Sequence, residues 1–149
     1  DVYKRQYRGS EIIGMAKPRP SPRLRTCPCG STRPLTECCG PLLDGTLAPT
    51  AEALMRSRYT AYAVGHIEHL RRTWAPEARP HDLTLDAERR WLGLTVRHVE
   101  AGEAGDAEGF VEFVARSKRG GRAERMVERS RFRYVNGQWL YVSGTVPVG

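Results

Sequence analysis

The chain holds four cysteines, and their spacing is the strongest chemical signal in its 149 residues. They fall in two pairs, Cys27 with Cys29 and Cys38 with Cys39. A structural zinc ion prefers four such thiolate ligands in a tetrahedral arrangement. Gly30 follows the first pair and lets the backbone reverse, so that both sulfurs of that pair can turn inward. We therefore predict that these four cysteines bind one zinc ion, which is structural because four thiolates leave no coordination position for water or substrate.

Two other uses of the cysteines remain open at this point. Disulfide bonds are disfavoured because no export signal is visible and cytosolic thiols stay reduced. Cys38 and Cys39 would also be hard to join, since adjacent Cα atoms lie ~3.8 Å apart, below the usual disulfide range. Free redox-active thiols are the other alternative, but the Cys-x-x-Cys spacing of thiol oxidoreductases is absent from the sequence. Ligand number and clustering favour zinc, with Arg25 and Arg33 predicted to offset the charge of the thiolates.

A second candidate site combines an arginine with a carboxylate. Arg58 falls on the apolar face of a predicted helix, together with Tyr59 and Tyr62. A buried guanidinium without a partner is costly, and on a predicted strand Glu128 and Ser130 share the phase of the apolar residues. We predict that Glu128 pairs with Arg58 across a helix–sheet interface, with Ser130 nearby. These five residues form the candidate pocket, in which the pair fixes the docking of the helix, binds a small anionic or carbonyl ligand, or serves in acid–base chemistry.

The elements that would carry these residues begin with helices. Thr50 is a predicted N-cap, and apolar residues recur at helical spacing over residues 51–63. Gly65 interrupts this helix, and a second short helix follows until Pro76 ends it. The mixture of charged and apolar residues over 85–91 predicts a third helical stretch.

Beyond residue 91 the apolar period changes to two, which is typical of strands. Four segments show this alternation, namely 92–96, 111–115, 126–134 and 139–142. Turn-rich connections separate them, and Asn136-Gly137 predicts a two-residue hairpin. Helices followed by an antiparallel meander of about four strands predict an α+β domain.

The cysteine segment and the body that follows it resemble a known family. Cys27-Pro-Cys29-Gly30-Ser31 followed by Cys38-Cys39-Gly40 is similar to the SEC-C motif, a zinc knuckle of the translocation ATPase SecA. Further segments occur in the order expected of the YchJ family: 54–59, 73–74, 91–94, 110–115, 128–132 and 137–139. The resemblance implies a zinc knuckle over 26–45 that contacts another protein. It also implies a domain over 46–149 with the cone-shaped fold of nuclear transport factor two (NTF2), in which a curved sheet wraps around helices and often leaves a pocket.

The formal charge of +7 does not by itself indicate a nucleic-acid-binding domain, because much of it lies at one end of the chain. Residues 1–26 hold seven of the 24 basic residues but only two of the 17 acidic ones. We expect residues 1–25 to be a disordered basic leader that is non-native before Met15. With no apolar run long enough to span a bilayer, we expect a soluble, cytoplasmic protein that does not bind membranes.

Three functions are compatible with these features. The favoured one is a binding or adaptor module without catalytic residues, whose protein partner binds the zinc knuckle. The second is a small-molecule enzyme or ligand-binding protein that uses the pocket; a deep pocket with convergent polar groups would favour it, whereas a packed interior would favour the adaptor. The third is weak binding of nucleic acid or the ribosome by Arg129, Arg131 and Arg133, which share one strand face. His66 and His69 favour a solvated helix face over a ligand pair.

Overall fold

The computed structural model describes residues 25–147 of the chain, in which short helices precede a sheet. In chain order the elements are a 3₁₀-helix (Leu35–Glu37), α1 (Cys39–Leu43), α2 (Ala51–Val64), α3 (Ile67–Arg72), β1 (Arg89–Ala101), β2 (Glu108–Arg119), β3 (Arg122–Val135) and β4 (Gln138–Thr145). The predicted α+β class, with helices before a four-stranded antiparallel sheet, is confirmed. The leader predicted over residues 1–25 lies, apart from Arg25, outside the described residues. No helix within the described part of the chain is long and apolar enough to cross a membrane.

Helix α2 begins and ends where the sequence predicts. The Thr50 hydroxyl accepts a hydrogen bond from the Ala53 N–H at 3.0 Å, which satisfies one of the free donors of the first turn. At the other end Gly65 adopts a left-handed conformation with φ of 81°, and its N–H donates to the Ala61 carbonyl. The helix therefore presents a fixed face to the sheet, which matters because the candidate pocket residue Arg58 lies on it.

The third helix predicted over residues 85–91 is wrong. A turn occupies residues 87–88, and strand β1 begins at Arg89, which pairs with Arg119 of β2. The Asp86 carboxylate accepts a hydrogen bond from the Glu88 N–H at 3.0 Å, a local contact that competes with helix formation. Trp91 then packs edge-on against Tyr59, with ring centroids 5.7 Å apart. Pairing with β2 and this aromatic contact override the local helical pattern.

The four strands form one antiparallel sheet in the order β1-β2-β3-β4. The predicted Asn136-Gly137 hairpin is confirmed: both residues have positive φ, 50° and 83°, as a type I′ turn requires. The predicted core face of β3 is confirmed in the middle of the strand, where Ser130 and Phe132 are buried. Near the strand ends Met126 and Tyr134 are 43% and 46% exposed. Burial on this face is therefore complete only in the central part of β3, although Met126 still lines a cavity between α2 and the sheet.

The core lies between helix α2 and the inner face of the sheet. Its buried residues include Leu54, Met55, Tyr59, Leu94, Val111, Phe113, Phe132 and Trp139. Cys27, Cys29 and Cys39 belong to the same cluster. The cysteine segment therefore packs as part of the core and not as a separate unit.

Replacing Gly102 by alanine is expected to destabilise the protein by about 1–3 kcal/mol. Gly102 has φ of 82°, and a Cβ on it would lie 2.7 Å from Cβ of Ala51, where α2 begins. Urea denaturation measures the loss. Gly105→Ala is the matched control, because Gly105 also has positive φ, 95°, but faces open space. Equal losses in the two variants would contradict a close approach of α2 to the end of β1.

Candidate metal centre and ligand cavity

The four cysteines predicted as zinc ligands lie together in the structure. Their Sγ atoms are all within 4.8 Å of one another, with 3.6 Å between Cys29 and Cys38 and 4.0 Å between Cys38 and Cys39. A tetrahedral zinc site with bonds of ~2.3 Å separates its sulfurs by about 3.8 Å. Cys27, Cys29 and Cys39 are buried, and Cys38 is half-buried. The cluster therefore has the ligand type, number and spacing that a tetrahedral metal site needs.

Backbone hydrogen bonds fold the cysteine loop without help from longer elements. The Cys27 N–H donates to the Arg33 carbonyl at 2.8 Å, and the Gly30 N–H donates to the Cys27 carbonyl at 3.2 Å. Gly30 has φ of 82°, which confirms the predicted chain reversal. A Cβ on Gly30 would lie 2.9 Å from the Leu94 carbonyl oxygen, so the loop packs closely against β1. The 3₁₀-helix then returns the chain to Cys38.

Side chains that we did not predict contact the cysteines. Arg33 donates to the Glu37 carbonyl, whereas Arg56 contacts Cys29, with its Nη1 2.8 Å from the carbonyl oxygen and 3.9 Å from Sγ. Ser31 Oγ lies 3.1 Å from the Cys38 sulfur. A guanidinium beside the cluster offsets part of the negative charge of thiolate ligands. No local pattern indicated Arg56, because it contacts a cysteine 27 positions away in the sequence.

Hydrogen bonds among the sulfurs shift the pKa values of the four thiols in opposite directions. The hydrogen bond with Cys39 lowers the pKa of Cys38 to about 6, and the one with Cys27 lowers the pKa of Cys29. On the donating side, the hydrogen bond to Cys29 raises the pKa of Cys27 to about 11, and the pKa of Cys39 is also raised, chiefly by its hydrogen bond to Cys27. A divalent cation can replace the shared protons, since metal binding to cysteines releases them.

A cavity of about 280 Å³ lies between α2 and the inner face of the sheet. All five residues of the candidate pocket line it: Arg58, Tyr59, Tyr62, Glu128 and Ser130. Its other lining residues are apolar or aromatic and include Met55, Trp74, Trp91, Phe113, Phe132 and Tyr141. The structure thus brings the predicted residues together around one space. That they bind a ligand stays a prediction.

Arg58 is buried in the wall of this cavity. Its Nη1 donates to the Leu70 carbonyl at 3.0 Å and to the Thr73 hydroxyl at 2.8 Å. Its guanidinium carbon lies 4.7 Å from the ring centroid of Trp74 and 4.6 Å from that of Tyr141, within the range of cation–π contacts. Burial lowers the pKa of Arg58 to about 10, so the group remains a cation at neutral pH.

The predicted direct pairing of Arg58 with Glu128 is wrong. Within residues 25–147 no ion pair joins them; Glu128 Oε2 instead accepts hydrogen bonds from Ser130 Oγ at 2.5 Å and from the Tyr141 hydroxyl at 3.1 Å. Burial raises the pKa of Tyr141, which keeps that hydroxyl protonated as a donor. Gly144 of β4 lacks the side chain that would collide with this carboxylate. Two hydroxyl donors therefore bind Glu128 Oε2 where we expected the guanidinium.

Sequence reasoning missed Trp74 and Tyr141 as cavity residues. The segment around Trp74 joins the edge of β4, where the Ala75 N–H donates to the Tyr141 carbonyl and the Tyr141 N–H to the Thr73 carbonyl, both at 2.8 Å. This pairing spans more than sixty residues of sequence. The sequence shows only that Trp74 follows a helix and that Tyr141 lies in the last strand. Neither observation indicates that the two residues are in contact.

The predicted solvated face at His66 and His69 is wrong, because both side chains are buried. His66 Nδ1 accepts a hydrogen bond from the His69 N–H at the start of α3. Arg72 can only donate to His69 Nδ1, at 3.1 Å, so His69 Nε2 carries the proton and donates to Ser57 Oγ at 2.8 Å. The Ser57 hydroxyl in turn donates a hydrogen bond to the Leu54 carbonyl. This direction is opposite to that of a serine nucleophile and its base, so the contact is structural.

Stability is expected to fall more steeply below pH 6.5 in the wild type than in a His69→Gln variant. Burial lowers the pKa of His69 from 6.5 to about 3. The unfolded chain therefore takes up the proton first, and the contribution of neutral His69 is complete above pH 6.5 and disappears as the pH falls. The slopes should differ by up to about 1.4 kcal/mol per pH unit. Urea denaturation of the wild type and of His69→Gln between pH 5 and 7 measures the two slopes. Release of metal by acid would affect both proteins and cancels when the slopes are compared. Equal slopes would contradict the lowered pKa of His69.

The basic strand face proposed for nucleic acid is paired with carboxylates. Each of the three outward arginines of β3 has a glutamate partner: Arg129–Glu100 at 2.9 Å, Arg131–Glu108 at 2.7 Å and Arg133–Glu77 at 2.5 Å. A polyanion would have to compete with these carboxylates. The geometry gives no support to the nucleic-acid alternative.

Comparison with known proteins identifies the family. The model of the YchJ middle NTF2-like domain matches residues 50–144. The chain is 55% identical over 125 residues to a UPF0225 protein of Chromobacterium violaceum, covering 80% of this chain and 92% of that protein. It is 48% identical over 119 residues to one of Streptomyces coelicolor, covering 79% and 93%.

Two solved structures have the same fold. A SEC-C motif containing protein from Rhodopseudomonas palustris aligns with a TM-score of 0.72 at 37% identity, covering 83% of this chain and 100% of that one. A second, from Psychrobacter arcticus, aligns with a TM-score of 0.66 at 26% identity, covering 86% of each. The predicted family and fold are thus confirmed, and the chain belongs to the YchJ (UPF0225) family, with residues 50–144 as its NTF2-like domain.

Proposed function

We propose that this protein binds a small molecule in the cavity under α2, and that its four cysteines hold one structural zinc ion. The observation that carries the first part is the cavity itself: about 280 Å³, with Arg58, Glu128 and Ser130 converging on an otherwise apolar and aromatic lining. Convergent polar groups in an apolar pocket are typical of ligand sites. The structure contains this cavity in place of the fully packed interior that would have favoured a purely adaptor role.

The zinc assignment is supported by the donor set. Four sulfurs within 4.8 Å of one another suit a tetrahedral cation that prefers thiolates. All four positions of such a site are filled by protein, so the ion would take no part in chemistry. Cys27, Cys29, Cys38 and Cys39 would hold it, with Arg56 and Ser31 in contact with Cys29 and Cys38 respectively.

Helix α2 joins the two sites. Arg56 contacts the cysteine cluster, and Thr60 Oγ1 lies 3.5 Å from the Cys27 sulfur. Arg58 and Tyr62, on another face of the same helix, line the cavity. A zinc ion would therefore brace the helix that carries one wall of the binding site. This is the role that we assign to it.

Protein binding by the knuckle stays a prediction. The cysteine sulfurs face α2 and the core, so a partner would meet the outer side of the loop, where Thr32, Arg33 and Glu37 are exposed. The expectation that the protein has no catalytic residues also stays a prediction. Because the structure contains this cavity, we favour ligand binding over the adaptor role that the sequence indicated.

A fragment screen on the full chain tests the proposed function. Ligand-observed NMR with several hundred small aromatic and heteroaromatic fragments should give hits that compete with one another. The test variant is Ala115→Leu, because Ala115 is buried in the cavity wall and a larger side chain would fill the space. Hits should be lost in this variant and kept in Ala123→Leu, a substitution at an exposed residue of β3. An absence of hits, or hits that survive Ala115→Leu in a folded protein, would overturn the proposal.

A further inference from the structure

The size of the cavity limits what it can hold. Pockets for drug-sized ligands have volumes of roughly 300–1,000 Å³, and this one is about 280 Å³. A single ring with a short polar substituent is the scale of molecule that fits. Peptides, nucleotides and steroid-sized ligands would need the helix and sheet to move apart.

The walls favour a flat ring. Tyr59 and Tyr62 both pack against Trp91, with centroid distances of 5.7 Å and 5.9 Å. On the other side Trp74 and Tyr141 meet edge-on at 5.3 Å. All five rings line the cavity, and aromatic pairs in offset or edge-on geometry are stabilising beyond the area that they bury. An aromatic or heteroaromatic ligand can continue these contacts.

Two charged groups of the cavity keep hydrogen-bonding capacity that the protein does not use. Arg58 bonds its protein acceptors through Nη1 alone, so Nη2 and Nε have no acceptor within residues 25–147. They are also not among the fully buried side-chain nitrogens of that region that lack a partner, so each keeps some accessible surface. Glu128 accepts both of its hydrogen bonds at Oε2, which leaves Oε1 without a donor there. The cavity thus offers a free donor and a free acceptor.

The two charges decide the charge of the ligand. A guanidinium and a carboxylate in one cavity sum to zero, and they do not pair with each other directly. An anionic ligand would be attracted by Arg58 but repelled by Glu128. A cationic ligand would be attracted by Glu128 but repelled by Arg58. A zwitterion satisfies both groups only by giving up the hydration of two charges between apolar walls, which is costly. A neutral group that accepts from Arg58 and donates to Glu128 avoids these penalties.

We infer that the cavity binds a small, uncharged aromatic or heteroaromatic molecule in which a carbonyl and an N–H lie side by side, as in a carboxamide or lactam. The carbonyl oxygen accepts from Arg58, the N–H donates to Glu128, and the ring packs among the aromatic walls. This inference rests on the proposed function of the cavity as a ligand site. It adds the chemical class of the ligand.

Four ring compounds that differ in charge test the inference on the full chain. NMR titration should show that benzamide binds about tenfold or more tightly than benzoate, benzylamine or phenylalanine. In Glu128→Gln the loss of the carboxylate should shift the preference towards benzoate. Glu112→Gln is the matched control, because Glu112 lies on β2 between the buried residues Val111 and Phe113 and does not line the cavity. It should keep the wild-type order.

Each other result has a defined meaning. Tighter binding of benzoate, benzylamine or phenylalanine than of benzamide would overturn the inferred ligand class while supporting a ligand site. If none of the four compounds binds, the inferred ligand class is overturned as well. The fragment screen described above then shows whether the cavity binds any small molecule. An unchanged order of preference in Glu128→Gln would remove Glu128 from the recognition of the ligand and would overturn the inference as well.

Discussion

Replacing Cys39 by serine is expected to abolish stoichiometric zinc binding and to lower the free energy of unfolding by about 3 kcal/mol or more. Cys39 is 1% exposed and opens α1, a helix of five residues. Helices this short do not persist alone in water, and the cysteine loop contributes only a further 3₁₀-turn. A metal bound as proposed would add a cross-link to the segment over 26–45, beyond its backbone hydrogen bonds and core contacts. Elemental analysis of zinc per chain, together with urea denaturation, measures both effects.

Ser31→Ala is the control for this variant. The Ser31 hydroxyl lies 3.1 Å from the Cys38 sulfur but is not one of the four ligands. Its removal should leave zinc stoichiometry unchanged and cost about 1 kcal/mol or less. Gently purified, reduced wild-type protein without stoichiometric zinc would contradict the metal assignment, as would a Cys39→Ser variant as stable as the wild type.

Arg58→Ala is expected to destabilise the protein by about 3 kcal/mol, whereas Arg58→Met should cost about 1 kcal/mol or less. Alanine leaves a gap beside the rings of Trp74 and Tyr141, both of which contact the guanidinium. Methionine fills much of that gap and avoids the burial of a charge. Both variants should lose binding of cavity ligands, because both lack the guanidinium. Urea denaturation and NMR titration with benzamide separate the two effects.

The matched control for Arg58 is Arg129→Met on the outer face of β3. Arg129 also combines a cation–π contact, 4.4 Å from the Phe110 ring, with a polar partner, Glu100. It lies outside the cavity, so ligand binding should persist. Retained binding in Arg58→Met would show that Arg58 serves packing alone. A loss of stability in Arg58→Met as large as that in Arg58→Ala would contradict the view that the aromatic gap dominates.

Local patterns in the sequence were sufficient for the parts of the fold that depend on near neighbours. The cysteine cluster, the N-cap at Thr50, the end of α2 at Gly65 and the hairpin at Asn136 each involve residues within about a dozen positions. Ligand chemistry and turn geometry fix such features locally. The pocket residues were also predicted to come together, since helical and strand periodicity indicate which side chains share the core-facing side of an element.

Features that depend on distant pairing were not accessible from the sequence. The charged stretch before Trp91 has the period of a helix, but strand pairing with β2 decides its structure. We predicted that Arg58 pairs with Glu128 because a buried charge needs a partner. In the structure a carbonyl, a hydroxyl and aromatic rings contact the guanidinium instead. Those partners come from α3, from the segment after it and from β4. No local rule places these elements side by side, and their approach is set by the whole core.

One helix touches both the cysteine cluster and the cavity, and under the proposed function this arrangement would couple the binding of zinc to the binding of the ligand. Any molecule that the zinc-loaded form binds better than the zinc-free form must, by reciprocity, tighten the hold on zinc by the same factor. In a cell short of zinc, the zinc-free form would then bind the molecule more weakly. Conversely, a plentiful ligand would shift the equilibrium distribution of zinc between this protein and competing chelators towards this protein. The helix between them would act as a thermodynamic link between metal supply and small-molecule supply.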